Sequence, residues 1–306
     1  MCVTLDTLLC PIDRSPVSRR AFDYAVTLAR WTGARLTVLE VIDVTPPVSA
    51  TPIPELLLIP DEIREGVRQE LDDLIGPALA AGVDADVRIE DGRVAQRILQ
   101  TAQDTAADLV VMGTHGRSGV ERLVLGSIAE KIVRQATCPV LTVPPAAPQV
   151  AAGAAPFHTV LCPVDFSAGS SAAVALAADL AGRAGARLML LHVVDWPFAH
   201  TTGPDPVTAL RDSLLAEAGR QLAPLLPSAP GLPAAEPFTL VGQPARQIVA
   251  VARDWSADLI VMGVSGRGAV DLAVLGSTTH RVLREACCPV ITVRHTTARG
   301  PSAAAR

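Results

Sequence analysis

Residues 107–127 and 257–277 are two copies of one stretch, and aligned without a gap they are identical at 13 of 21 positions. Each opens on an apolar run, Leu109–Gly113 and Leu259–Gly263, with the length and composition of a buried parallel strand. Each then sets two glycines three apart, lets nine residues pass, and closes on Gly126-Ser127 or Gly276-Ser277 ahead of an apolar-periodic segment. A strand that runs into glycines and then into a Ser-capped helix presents backbone N–H groups at the positive end of a helix dipole, with no Cβ in the way. The spacing predicts a phosphate cradle. A lone pair of glycines would mark only a tight strand-to-helix connection; the full spacing, met twice, points to a site.

The duplication extends on both sides. Thr7–Ile12 closed by Asp13 matches residues 159–164 closed by Asp165, and both read as first strands. Helices are expected over 18–31 and 170–184, ending at Gly33 and Gly185 as helices commonly do. Second strands follow at 35–42 and 187–194, with the copies offset by 152 residues. From the third strands (86–90 and 236–240) the offset is 150, so two residues are lost in between. That divergent region holds helices expected over 61–81 and from about 205 to 222, and in the first copy a Leu-rich, Pro-bounded patch over 52–60. The patch suits a ligand lid or partner contact, or a cover for the sheet. Third helices, the glycine stretches, fourth helices and fifth strands ending Val140–Val143 and Val290–Val293 complete each unit.

Strands alternating with helices demand a parallel sheet covered on both faces, an α/β doubly wound fold. We expect domains over 1–145 and 158–295, a charge-free Pro/Ala linker over 146–157 and a disordered tail over 296–306. Aromatic residues make up only 3%, so the cores must be Val, Leu, Ile and Ala. A net charge of −5, a single lysine (Lys131) and the lack of a basic run argue against nucleic acid as a partner. No apolar run approaches a membrane span, and residues 1–6 lack a signal-peptide pattern, so no membrane partner and a cytoplasmic location are expected. The six cysteines have no metal-type spacing and read as small buried hydrophobes, with Cys287 the one whose side is free to face out.

In doubly wound sheets a ligand sits beyond the carboxyl ends of the strands where their order reverses. Strand one with Asp13, strand two with Val41 and the glycine loop all end there. An aspartate at a strand end accepts from two ribose hydroxyls or reaches a metal. Apolar Val41 and the backbone beside Ile12 suit a purine edge. The backbone of Gly113, Gly116, Gly126 and Ile128 suits phosphates, as do the Ser127 hydroxyl and N–H.

On these residues the chain resembles a tandem universal stress protein of the ATP-binding branch. The family signature G-x2-G-x9-G-[ST] is met at Gly113, Gly116, Gly126, Ser127 and at Gly263, Gly266, Gly276, Ser277. The strand-one aspartate is met at Asp13 and Asp165, and a Val-x-Asp ending of strand two at Val41-Ile42-Asp43 and Val193-Val194-Asp195. The resemblance implies two five-stranded sheets ordered 3-2-1-4-5, one ATP site per repeat, and pairing of the domains through their fifth strands as an intramolecular pseudo-dimer. Edge-strand chemistry asks for the same pairing, because an edge carries unsatisfied backbone groups. Association of two chains into a homodimer is left open.

The site so implied comprises Pro11, Ile12, Asp13, Val41, Met112, Gly113, Gly116, Arg117, Gly126, Ser127 and Ile128. In the second repeat it comprises Pro163, Val164, Asp165, Val193, Met262, Gly263, Gly266, Arg267, Gly276, Ser277 and Thr278. The ligand is ATP, ADP or AMP, carried with Mg. Arg117 and Arg267 follow the second glycine and suit phosphate neutralisation or a solvated surface. His115 reads as a local hydrogen-bonder rather than a catalyst; Val264-Ser265 stands where the first copy has Thr114-His115. The leading function is a nucleotide-binding stress-response regulatory module, and the rival is a slow ATP hydrolase on the same site. No GxxxxGK[ST] motif is present and neither glycine loop holds a carboxylate between its paired glycines, so binding with slow turnover at most is expected. A third class, a dimerisation scaffold with decayed sites, sits poorly with two intact motifs.

Overall fold

A computed structural model describes residues 5–44, 60–116, 125–150, 156–196, 206–266 and 275–294. Within the first repeat the order is β1 (Thr7–Ile12), α1 (Pro16–Thr32), β2 (Arg35–Ile42), α2 (Asp61–Ala80), β3 (Ala85–Asp91), α3 (Val94–Asp104), β4 (Leu109–Gly113), α4 (Ser127–Gln135), β5 (Val140–Val143). The second repeat gives β6 (Thr159–Pro163), α5 (Ala168–Ala184), β7 (Arg187–Asp195), α6 (Pro206–Leu222), β8 (Ala235–Gly242), α7 (Pro244–Asp254), β9 (Leu259–Gly263), α8 (Ser277–Glu285), β10 (Val290–Val293). The expected Leu-rich patch over 52–60 lies, apart from Pro60, outside the described residues, as does the tail over 296–306.

Helix α1 starts two residues earlier than the periodicity suggests because Pro16 fits the first turn and the Ser15 side chain accepts from the Ser18 amide. Ser167 caps α5 in the same way, accepting from Ser170 N–H. Both helices end on left-handed glycines, Gly33 at φ 75° and Gly185 at φ 61°.

Each repeat contributes five parallel strands in the order 3-2-1-4-5, and the two sets merge into one ten-stranded sheet, β3-β2-β1-β4-β5-β10-β9-β6-β7-β8. The junction is antiparallel, with Thr142 opposite Val290, Leu141 opposite Ile291 and Val140 opposite Thr292. Thr142 Oγ1 donates to the Val290 carbonyl at 3.2 Å and Thr292 Oγ1 to the Val140 carbonyl at 3.3 Å, a reciprocal arrangement about a pseudo-twofold axis. What would have been two exposed edges thus becomes sheet interior, and the four residues of each strand are buried.

The strand period of two sends alternate residues to two cores. Leu8 and Cys10 pack with Ala21 and Leu28 of α1, Leu71 of α2 and Ala173 of α5; Leu9 and Val110 pack with Ile98 of α3, Ile132 of α4 and Ile248 of α7. Both cores run through both repeats. Cys10, Cys162 and Cys288 are buried and Cys138 and Cys287 partly so. Burial pushes the Cys138 thiol up to about 11 and that of Cys288 up to about 12.

The chain after β5 does not swing free. Arg20 of α1 donates to the carbonyls of Pro145 at 2.7 Å and Ala147 at 2.5 Å, and the Tyr24 hydroxyl donates to the Pro148 carbonyl at 2.9 Å. Ala147 is buried, and past the undescribed residues Phe157 is too, edge-on to Trp31 at 6.4 Å.

Tyr24 is the single tyrosine of the chain. Burial pushes its phenol up to about 12, which makes absorbance near 295 nm a clean reporter of this docking. Between its unfolded value near 10 and that folded value the unfolded state has released a proton that the native state keeps. Its contribution to stability is therefore complete below pH 10 and is expected to be lost as pH rises to about 12, and an absorbance titration with a midpoint near 10 in native protein would contradict this. At the sheet junction, the Thr142 and Val290 amides, which face across the β5–β10 pair, are expected to exchange as slowly as those of Leu9 and Val110; fast exchange of either would show that the junction opens independently.

Candidate functional site

Strand β1 lies between β2 and β4 and treats them unequally. With β2 it keeps register from Thr7↔Arg35 to Ile12↔Glu40, but with β4 only at Leu8↔Leu109 and Leu9↔Val110. Past Leu9 the two strands part, and a crevice opens at their carboxyl ends where the strand order reverses. The second repeat does the same, with β6 and β9 paired only at Val160↔Leu259 and Leu161↔Ile260. The opposite end is clamped. Asp108 Oδ2 accepts from the amides of Asp6 and Thr7, both at 2.9 Å, and Asp258 Oδ2 accepts from His158 and Thr159 at 2.6 and 2.8 Å. The Ala-Asp that begins each repeated stretch is therefore a strand fastener, remote from the crevice.

The two crevices have volumes of about 560 and 540 Å³, a size suited to a small ligand. Around the first the structure gathers Pro11, Ile12, Asp13, Val41, Met112, Gly113, Gly116, Gly126, Ser127 and Ile128. Around the second it gathers Pro163, Val164, Asp165, Val193, Met262, Gly263, Gly266, Gly276, Ser277 and Thr278. Arg117 and Arg267 lie outside the described residues. Asp43 and Asp195 at the equivalent place are both exposed, and Asp43 lines the first crevice whereas Asp195 does not line the second.

The glycines are required first by the protein itself. A Cβ on Gly113 would stand 2.9 Å from Val17 of α1, and one on Gly116 would stand 2.6 Å from Asp13 Oδ2; Gly266 has the same relation to Asp165 Oδ2 at 2.8 Å. Each aspartate is thereby aimed at the glycine loop. Its other oxygen holds a turn: Asp13 Oδ1 accepts from the Ser15 amide at 3.1 Å, and Asp165 Oδ1 from Ser167 N–H at 3.0 Å and Oγ at 2.6 Å. The residue after each aspartate, Arg14 or Phe166, is pinned in the left-handed region at φ 63° or 62°.

The Ser-capped helix start needs correcting. The N-cap of α4 is Gly126 and that of α8 is Gly276, and Ser127 and Ser277 are already the first helical residues. A glycine has no side chain with which to cap, so the first-turn N–H groups stay oriented toward the crevice instead of being satisfied by a serine oxygen. The Gly126 amide itself bonds the Thr114 carbonyl at 2.9 Å, which ties the helix start to the end of β4.

Sequence reasoning missed the pair that distinguishes the crevice floors. Glu40 is buried in β2, and Arg14 reaches it at 2.8 Å and Glu70 of α2 at 2.6 Å. The hydrogen bond to Glu70, and then the charge of Glu40, hold the Arg14 guanidinium above its ordinary pKa. At the equivalent positions Phe166 meets His192 at a tilt of 42° with ring centroids 4.5 Å apart, and His192 Nδ1 lies 2.7 Å from the Val164 carbonyl. The available signal was the charge at Glu40 inside an otherwise apolar strand, which requires a partner.

Architecture and crevices together define a tandem α/β protein with a ligand cleft at the carboxyl edge of each half-sheet. The profile of the universal stress protein family matches residues 4–144 and again 156–294. The chain belongs to that family. It is 35% identical to universal stress protein MJ0531 of Methanocaldococcus jannaschii over 44% of this chain and 80% of that protein. It is 32% identical to universal stress protein Rv2005c of Mycobacterium tuberculosis, over 70% of this chain and 72% of that protein. The crystal structure of a universal stress protein from Archaeoglobus fulgidus superposes with a TM-score of 0.69 at 23% identity, covering 95% of this chain and 99% of that one, a likeness of fold.

The space a Cβ would find sets opposite outcomes for two glycine substitutions. Gly116→Ala is expected to lower stability by about 1–2 kcal/mol as the new methyl displaces the Asp13 carboxylate. Gly66→Ala within α2, where a Cβ meets nothing within 4 Å, is expected to raise it by about 0.5–1 kcal/mol. Denaturant titration checks both, and equal shifts of one sign would refute the crowding.

Proposed function

We propose that this protein is a stress-response regulatory module that binds one adenine nucleotide in each cleft. The observation that carries this reading is the convergence, repeated in both halves, of a glycine-capped helix start, a glycine loop and an aspartate aimed at it around a cleft of nucleotide size. Uncapped first-turn amides at the positive end of α4 and of α8 suit phosphate oxygens. The aspartate, with Oδ1 engaged in its turn, meets a ribose hydroxyl chiefly through Oδ2. The apolar side chains of Ile12, Val41 and Met112 in the first cleft, and of Val164, Val193 and Met262 in the second, offer a slot for a purine.

No group of three or more His, Cys, Asp or Glu side chains capable of holding a metal occurs among the described residues, so the expected Mg would be carried chiefly by the phosphates of the nucleotide. No helix among the described residues is long and apolar enough to cross a membrane.

The test is to denature the purified protein and identify any released small molecule, then titrate the stripped protein with ATP, ADP and AMP. Two equivalents of adenine nucleotide are expected. Asp13→Ala and Asp165→Ala should each weaken one equivalent by about tenfold, the scale of a lost hydrogen bond to a charged group. Sustained ATP turnover well above one per second, abolished in the double variant, would replace the binding-module reading with that of an ATP hydrolase. Failure to bind any adenine nucleotide would leave the scaffold reading.

A further inference from the structure

Helices α2 and α6 occupy the same place in their repeats and pack on the third strand of each half-sheet, β3 and β8. Their buried seams set the register between them. Leu71 and Ile75 lie four apart on α2, as Ala218 and Leu222 do on α6, and all four are buried. Counting back from each seam in steps of one turn puts Ile63 and Val67 opposite Leu210 and Leu214. The two pairs are alike in chemistry and differ in surroundings. Ile63 and Val67 line the first cleft, and Val67 is only 6% exposed. From Thr208 onward no residue of α6 lines the second cleft, and Leu210 and Leu214 are 55% and 38% exposed.

Ion pairs tie α2 to the strand ends. Arg14, just past β1, joins Glu70 of α2 at 2.6 Å, and Arg64 of α2 pairs with Asp91 at the end of β3. On α6 the ion pairs among the described residues, Arg211–Asp212 and Arg220–Glu217, stay inside the helix, and Phe166 stands where the first repeat has Arg14. Val67 shares a core with Ile12, and Ile42 packs against that core. The wall that α2 supplies therefore stands over the ends of β1 and β2, where the purine slot lies, across the cleft from the glycine loop and α4. A lone exposed apolar residue on a helix needs no explanation. Ile63 is 53% exposed on the wall of a cleft, so it is surface that a base seated there takes out of water.

We propose that the two clefts differ in affinity at their base ends: Ile63 and Val67 of α2 roof the base in the first, which makes it the tighter and more slowly exchanging site. The second cleft, without that roof, is the one that fills and empties as nucleotide concentration changes. The preference is for the base, so it is the same for ATP, AMP and adenosine. One ligand then belongs to the resting protein, and the other reports on its surroundings. This inference rests on the adenine-nucleotide reading given above.

Photolabelling of the stripped full chain with 8-azido-ATP, with cross-linked peptides quantified separately for residues 7–143 and 159–293, reports each cleft. Protection by unlabelled ATP, AMP or adenosine then ranks the affinities. Each competitor is expected to protect the first half at about tenfold lower concentration than the second, and a chase should release 8-azido-ATP more slowly from the first half. Ile63→Ala should weaken protection of the first half about fivefold, by the same factor for all three competitors, and leave the second half unchanged. Because Ile63 is half exposed without ligand, this substitution costs the fold little. Leu210→Ala should change neither half. Equal protection of both halves, an unchanged first half in Ile63→Ala, or a loss that grows with the number of phosphates would overturn the inference while the nucleotide reading stands. A second half weakened by Leu210→Ala would place α6 on that cleft and overturn it likewise. If the unmodified protein labels in neither half, the reading and the inference fail together.

Discussion

The parting of β1 from β4 is the constraint on which the rest of this structure depends. A parallel sheet satisfies its backbone by continuing its ladders, and here the central ladder stops after Leu9 and Val110 while β1 continues alongside β2. Something must then stabilise the ends of the diverging strands. Asp13 turns its Oδ1 back onto the Ser15 amide and presses Oδ2 against Gly116, while Gly126 bonds the carbonyl of Thr114. The contacts that close the strand ends are the same ones that shape the cleft. The glycines thus answer a packing demand first, and their suitability for a phosphate follows from it.

The second constraint is the fifth strand. Alone, each half-sheet would end in a strand of four buried residues with one side of its backbone unpaired. Pairing β5 with β10 fills that vacancy inside one chain, and reciprocal threonine-to-carbonyl bonds fix the register. Both cores run across the junction, so the halves form one packed body. The clefts lie in separate half-sheets, and each half keeps its own crevice chemistry even though the architecture is shared.

Duplication has therefore preserved the frame and released part of the lining. Where the frame needs a residue, both copies keep it: the fasteners Asp108 and Asp258, the capping serines Ser15 and Ser167, and the glycines against the aspartates. Where only a local partner is involved, the copies differ. An Arg14–Glu40 ion pair faces a Phe166–His192 ring contact, and Thr114-His115 faces Val264-Ser265. These exchanges are made in pairs, since a buried charge or an oriented ring is tolerable only with its partner.

The amino-acid sequence by itself determined the element order, the duplication and most of the residues that line each cleft, because glycine spacing and strand periodicity are local matters that the chain states directly. The contact of Tyr24 and Arg20 with the segment after β5, the role of Gly126 rather than Ser127 as the cap, and the burial of Glu40 beside Arg14 were decided only by tertiary structure. Each of these depends on distance in space between residues far apart in sequence, or on a dihedral angle set by neighbours. Sequence pattern records which residues face inward, whereas the partner each one meets is fixed only when the sheet closes and its helices pack.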